Sequence, residues 1–353
     1  MRAHAFLRLW ACGLALALGV TAACARSGES TGPPRVLHYY TWSDYVSPDL
    51  LALFERQEQV KVVVDTFSSN EELLAKLQSG AEGYDVAVPS DFMVSIMMHL
   101  GLLAELDAEH LPNAAWLEPH LAALPFDPTH RYSVPYLWGT VGIGYDSAVI
   151  PTPPDSWDVL WDPRYAGRIS MLNDQREVFG ATLRSMGASL NTVDPAMIER
   201  AKAKLIRQKP LVKAYTSDTY DQLLASGEVV LAHGWGGAVA RAAVERPSIR
   251  YVVPKEGGTI WADCLVVLKG AHDKALATRF VNFLLEAQVA AQTSERLYFA
   301  PANREARVRL PARLRDNPAV VPPWSLLGGL EWMRDVGAAV RLYDRAWTEL
   351  KLS

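Results

Sequence analysis

Apolar residues along the chain follow two spacings in turn. Continuous or alternating apolar runs at 36–41, 60–66, 85–89, 168–172, 229–232 and 250–253 predict strands. Between them, apolar residues at helical spacing predict helices. Leu50, Leu51, Leu53 and Phe54 follow Pro48, which suits a first helical turn because its missing N–H has no partner there anyway. Ser69 with Glu72 three residues on reads as a capping box ahead of Leu73, Leu74 and Leu77. Gly80 and Gly83 end that helix. Phe92, Ile96, Met97 and Leu100 share one face of the next. Further helices are predicted over 178–186, after the Asp194-Pro195 start, and over 238–244. Strands alternating with helices predict an α/β architecture with largely parallel sheets.

The apolar, glycine-rich segment from Tyr136 to Tyr145 breaks this rhythm. It reads as an extended strand crossing between two lobes. The spacing of Gly139, Gly142 and Gly144 fits neither phosphate-binding glycine motif. Length agrees with two lobes, since 353 residues exceed the roughly 250–300 at which a single core stops growing.

The N-terminus bears on compartment. Arg2 and Arg8 precede the uncharged apolar run 14–20, and small residues Thr21, Ala22 and Ala23 lead to Cys24. This is the layout of a secretory signal over residues 1–23. It is shorter than the roughly 20 apolar residues that span a bilayer. Cys24 behind two alanines resembles a lipobox, although Thr21 stands where Leu or Val is usual. Lipidation at Cys24 is expected, with residues 24–34, rich in Ser, Gly and Pro, as a tether. That lipid is the one membrane contact expected. The net charge of −4 disfavours nucleic acid, which needs a basic footprint. Beyond Cys12 and Cys24 only Cys264 remains, so no internal disulfide and no cysteine metal set is expected. Cys264, inside an apolar run, reads as a buried structural thiol.

The candidate chemistry is carried by a repeated pattern, Trp42-Ser43-Asp44 and Trp261-Ala262-Asp263. In extended backbone, residues i and i+2 point to one side. An indole face and a carboxylate then share one space, a pairing that suits an organic ammonium. Tyr45, Asp174, Glu177, Trp235 and Phe299 add further acids and rings. Asp174 and Glu177, three apart, also have the spacing of an acid/base pair, but no H-E-x-x-H, C-x-x-C or nucleophile set accompanies them. His99, His110, His120 and His130 lack metal-ligand spacing and read as structural. Binding is therefore expected, without catalysis, cofactor or metal.

Six stretches then carry a resemblance: 40–45, 84–90, 133–139, 156–161, 174–179 and 254–258. In these the chain resembles the substrate-binding lipoproteins of bacterial spermidine/putrescine ABC transporters. The resemblance implies a two-lobed periplasmic-binding-protein fold of type II-like topology, with ligand in the cleft between lobes. It implies a first lobe of 35–140 plus 259–305 and a second of 141–258 plus 306–353. Asp44, Asp174, Glu177 and Asp263 would hold ammonium groups. Trp42, Tyr45, Trp235, Trp261 and Phe299 would line the channel, with Ser43, Ser90 and Phe92 as further contacts. Arg176 would be structural and orient Glu177. Putrescine-selective members carry Asp where this chain has Ala238; spermidine-binding members carry Gln at Met333 and Tyr at Phe299. Spermidine is favoured over putrescine, with another organic cation, or an envelope enzyme acting on amines, as the alternatives. The expected partners are ABC permease subunits, the expected state is a monomer, and the expected location is the periplasm or the outer face of the cytoplasmic membrane.

Overall fold

The structure, a computed structural model, describes residues 35–43, 45, 47–80 and 83–353. The signal, Cys24, the tether and Asp44 lie outside the described residues. The chain begins with β1 (Arg35–Trp42), α1 (Pro48–Glu58), β2 (Val60–Phe67), α2 (Asn70–Gln78), β3 (Val86–Ala87) and α3 (Asp91–His99). The Ser69 hydroxyl caps α2 by accepting the Glu72 N–H at 3.1 Å. Glu72 returns to Ser68 N at 2.8 Å, one residue earlier than a standard box. Helix α3 buries Asp91, Met93, Val94 and Met97; of the predicted face Met97 is buried, Phe92 and Ile96 pack partly buried against the core, and Leu100 is exposed. Apolar residues almost surround this helix, so periodicity underdetermines which side faces inward.

The long strand β4 (Ser133–Asp146) follows, then β5 (Ile169–Met171), α4 (Gln175–Arg184), α5 (Pro195–Gln208), β6 (Val212–Tyr215) and α6 (Tyr220–Ser226). Next come β7 (Leu231–Trp235), α7 (Gly236–Glu245), β8 (Ile249–Val252) and β9 (Thr259–Val267). The C-terminal part holds α8 (Lys274–Leu284), α9 (Ala287–Leu297), β10 (Ala300–Pro301), α10 (Arg304–Arg309), α11 (Ala312–Arg315), α12 (Trp324–Leu327), β11 (Glu331–Trp332) and α13 (Val340–Leu352).

The strands connect in the order β2-β1-β3-β9-β4-β7-β5-β6. Parallel pairs lie at the flanks, β1 with β2 and β3, and β5 with β6 and β7. The centre is mainly antiparallel: β9 pairs with β3 and β4, and β4 also with β7, β8 and β10, while the short β11 pairs with β9 in parallel. The expectation of a largely parallel sheet is therefore corrected to a mixed one. The reason is topological, since β4 leaves the first half of the molecule while β9 returns to it, and neighbours running opposite ways pair antiparallel.

Two apolar cores sit on this sheet. One draws on 37–138 and 260–302, the other on 141–261 and 336–350. Strand β4 passes from one to the other between Trp138 and Val141, as the crossing-strand reading expects. Both β4 and β9 are buried along their whole length, which explains their near-continuous apolar composition. Helix α13 packs Tyr343, Ala346 and Leu350 into the second core. The segment before it is shared. Ala306, Leu310 and Val320 form a small cluster with Ala240 of α7 and Ala290 of α9, while Leu330 and Trp332 lie on the first core. Cys264 is buried and unpaired.

Candidate ligand-binding site

The two cores face each other across a cavity of about 850 Å³. Every candidate residue in the described part lines it: Trp42, Ser43, Tyr45, Ser90, Phe92 and Phe299 with Asp263 from one side, Asp174, Glu177 and Trp235 from the other, and Trp261 at the crossing. Asp44 lies outside the described residues. Ala238 and Met333, where the chain departs from the polyamine-binding pattern, line the cavity too.

Strand β9 places Trp261 and Asp263 on one face, as the i, i+2 rule requires. The Trp261 indole stands edge-on to Phe299 at 5.0 Å and 89°. It lies over Gly139, its partner on β4. A Cβ at Gly139 would come within 2.8 Å of Trp261 Cζ2, so the absence of a side chain there seats the ring. Trp42, at the end of β1, is fixed by donating its indole N–H to Val88 O at 2.9 Å and by packing on Phe67 at 4.6 Å.

Asp263 is 5% exposed. The Tyr45 hydroxyl donates to its Oδ2, and the Ser90 hydroxyl donates to its Oδ1 at 2.7 Å. Asn70 orients Ser90 in turn, donating from Nδ2 to Ser90 Oγ at 3.1 Å and accepting Ser90 N at 3.0 Å. Burial pushes the Asp263 carboxyl up to about 6, with the Tyr45 and Ser90 hydrogen bonds opposing the rise.

Across the cavity, α4 opens at Asp174, whose side chain accepts the Glu177 N–H at 3.0 Å. Glu177 is 5% exposed and accepts a hydrogen bond from Thr259 Oγ1 at 2.7 Å. Burial, then the neighbouring Asp174 charge, pushes Glu177 up to about 8. Burial also raises Asp174. Both acids sit at the positive end of the α4 dipole. Trp235 ends β7 and leads into α7. The Tyr220 hydroxyl accepts Trp235 N at 3.1 Å and lies 3.2 Å from Trp235 O.

Arg176 does not orient Glu177 as expected. Its guanidinium donates to Arg334 O at 3.2 Å and Asn191 Oδ1 at 3.3 Å and lies over the Tyr343 ring at 5.1 Å. It therefore ties α4 to the C-terminal segment, because that carbonyl is presented where Glu177 is not. Arg241, also at the cavity, pairs with Asp221 at 3.2 Å. Asn70, Glu71, Asp91, Tyr215, Asp344 and Trp347 line the cavity without having been anticipated. Asp91 alone carried a signal in the sequence, its place between Ser90 and Phe92.

The model of the bacterial extracellular solute-binding protein family matches residues 49–322. The chain belongs to that family. It is a solute-binding protein and not an enzyme, so the amine-enzyme alternative falls. The spermidine/putrescine-binding periplasmic protein of Escherichia coli K12 is 38% identical over 339 residues, covering 96% of each chain. The putrescine-binding periplasmic protein PotF of the same organism is 33% identical, covering 92% of this solute-binding protein and 93% of PotF. Among solved structures, the TpPotD lipoprotein of Treponema pallidum is similar with a TM-score of 0.82 and 32% identity, covering 90% of this chain and all of that one. These neighbours place the two-lobed α/β architecture in the periplasmic-binding-protein fold.

Proposed function

We propose that this solute-binding protein captures a polyamine, spermidine in preference to putrescine, and delivers it to the permease of an ABC importer. The observation that carries the reading is the convergence of Asp263 from one side and Asp174 and Glu177 from the other on a slot walled by Trp42, Trp235 and Trp261. Indole faces attract a cation and carboxylates hydrogen-bond it. Relatives named for spermidine/putrescine or putrescine binding support the substrate class.

The energies suffice. Charged hydrogen bonds contribute about 1.5–3 kcal/mol each, cation–π contacts about 0.5–2 kcal/mol, and each buried methylene roughly 0.8 kcal/mol. Micromolar binding requires about 8 kcal/mol after association costs. Ala238 lacks the carboxylate of putrescine-selective members, and the Asp174/Glu177 pair suits a ligand with more than two ammonium groups, which favours spermidine. The site residues named above act as the ligand contacts in this reading, Asp44 among them. The lobes are 35–140 plus 259–305 and 141–258 plus 306–353, with the stretch around Leu330 and Trp332 reaching back onto the first core, and they close on ligand by a hinge at the crossing strands. The protein works as a monomer outside the cytoplasm, held by lipid at Cys24.

Calorimetry on residues 24–353 (Cys24 replaced by Ser) with putrescine, spermidine, spermine and lysine in parallel tests this. Spermidine is expected to bind at micromolar affinity or better and lysine not at all. Lysine binding more tightly than every polyamine would overturn the substrate class.

A further inference from the structure

Three tryptophans are buried among the described residues: Trp138, Trp157 and Trp261. Trp157 donates its indole N–H to Gly257 O at 2.7 Å. The indole nitrogens of Trp138 and Trp261 have no acceptor in the protein. A buried N–H without an acceptor is costly, and native structures hold few. Both of these tryptophans belong to cavity walls. Trp261 lines the ligand cleft. Trp138 lines a second cavity, of about 240 Å³. The two lie back to back. Strand β4 turns Gly139 toward the Trp261 ring, so its neighbour Trp138 points to the opposite face of the sheet.

This second cavity has an aromatic, apolar side and a cationic side. Trp324 is exposed, and His120 stands edge-on to both indoles, 4.3 Å from Trp138 and 4.7 Å from Trp324. Burial, then the Arg307 charge, pushes His120 down to about 4, so its ring is neutral at pH 7. Pro322 and Pro323 add flat apolar surface and no N–H. Opposite them, Arg307 gives its Nε to the buried Glu118 at 2.5 Å, and its two terminal nitrogens make no bond among the described residues. Arg315 holds only its exposed chain neighbour Asp316, at 3.0 Å, and exposed pairs of this kind are weak. Each acid of the wall thus has its arginine, while the Arg307 ends and the Trp138 N–H remain donors without acceptors. An apolar cavity of about 150 Å³ takes benzene, so this one has room for one ring carrying a small polar group. We propose that it is a second ligand site of the protein, for a small aromatic carboxylate, with the ring against Trp138 and Trp324 and the carboxylate on Arg307 and Arg315. The site lies behind the crossing strand and rests on no reading of the cleft.

The test is a titration of residues 24–353 (Cys24 replaced by Ser) with sodium benzoate, read from the indole N–H signals in nitrogen–proton correlation spectra. Trp138→Phe and Trp324→Phe each identify one signal by its loss; Trp324, at the exposed wall, serves alone should Trp138→Phe not fold. Benzoate is expected to move both signals saturably, and to keep doing so in the presence of excess spermidine. Benzylamine, the same ring with the opposite charge, and acetate, the same charge without a ring, should leave them in place. In Arg315→Gln, at an exposed position, benzoate affinity is expected to fall about fivefold or more. Signals that stay still in benzoate overturn the inference. Equal movement by benzylamine or acetate, displacement of benzoate by spermidine, or full benzoate affinity in Arg315→Gln overturns it as well.

Discussion

At the scale of the residue, Asp263 shows how a carboxylate is readied for a cation. Two hydroxyls hold its oxygens, yet each oxygen keeps a lone pair for a further donor. Asp263→Asn is expected to weaken polyamine binding about tenfold or more, roughly 1.4 kcal/mol, with little change in the ligand-free melting temperature. Calorimetry and thermal melts together check this, and a large drop in melting temperature at unaltered affinity would make the residue structural. Gly139→Ala should act on both measurements. Its Cβ meets the Trp261 ring at 2.8 Å, overpacking of this kind costs about 1–3 kcal/mol, and the displaced indole is a ligand wall. Ligand affinity left intact would show that the ring's seat does not matter. Trp261 and Asp263 were legible because residues two apart on a strand share a face whatever the fold. Their supports were not. Tyr45 reaches Asp263 across 218 positions of sequence and Thr259 reaches Glu177 across 82, and no local spacing encodes such meetings. Arg176 fails for the same reason, since its partner Arg334 O lies 158 residues away.

At the scale of the element, local signals carried existence and ends well. Ser69, Asp194 and Asp174 each cap a helix through a hydrogen bond within three residues, so sequence alone contains the interaction. What it lacks is orientation. The inward face of α3 and the antiparallel run of β9 beside β4 depend on which surface each meets, and α3 is too uniformly apolar to declare a side. Asp174 joins the two levels, as the cap of α4 and as a cleft acid. Asp174→Ala is therefore expected to do two things: lower stability by about 0.5–2 kcal/mol through the lost cap, and weaken polyamine binding. Asp174→Ser, which restores a capping oxygen without charge, should recover most of the stability and none of the affinity. Denaturant unfolding and calorimetry on both variants decide it; affinity recovered by Ser would mean that Asp174 serves the ligand only by holding the helix.

At the scale of the whole molecule, packing acids from both halves into one cleft makes binding depend on protons. Glu177 is pushed up to about 8 and Asp263 to about 6, against ordinary values near 4. The folded, ligand-free protein therefore holds protons on these groups that the unfolded chain has lost. Their contribution to stability is full below about pH 4 and is lost as pH rises through 6 and then 8. Buried histidines act oppositely. His120 is pushed down to about 4 and His233 to about 3, so stability rises with pH until the unfolded imidazoles are neutral, near 6.5. Above pH 7 the histidine effect is complete, while Glu177, pushed up to about 8, still titrates. An ammonium favours the ionised carboxyl, so polyamine binding should expel protons, and affinity should climb between pH 6 and 8.5 before levelling. The increase in melting temperature on adding spermidine should grow over that window, because the ligand supplies the countercharge that the ligand-free cleft lacks. At pH 7 the calorimetric enthalpy should vary with the ionisation enthalpy of the buffer. In Glu177→Gln much of that variation should disappear. An enthalpy independent of buffer in wild type would mean that these acids are already charged before ligand arrives, and that the cleft is organised by solvent and not by stored protons.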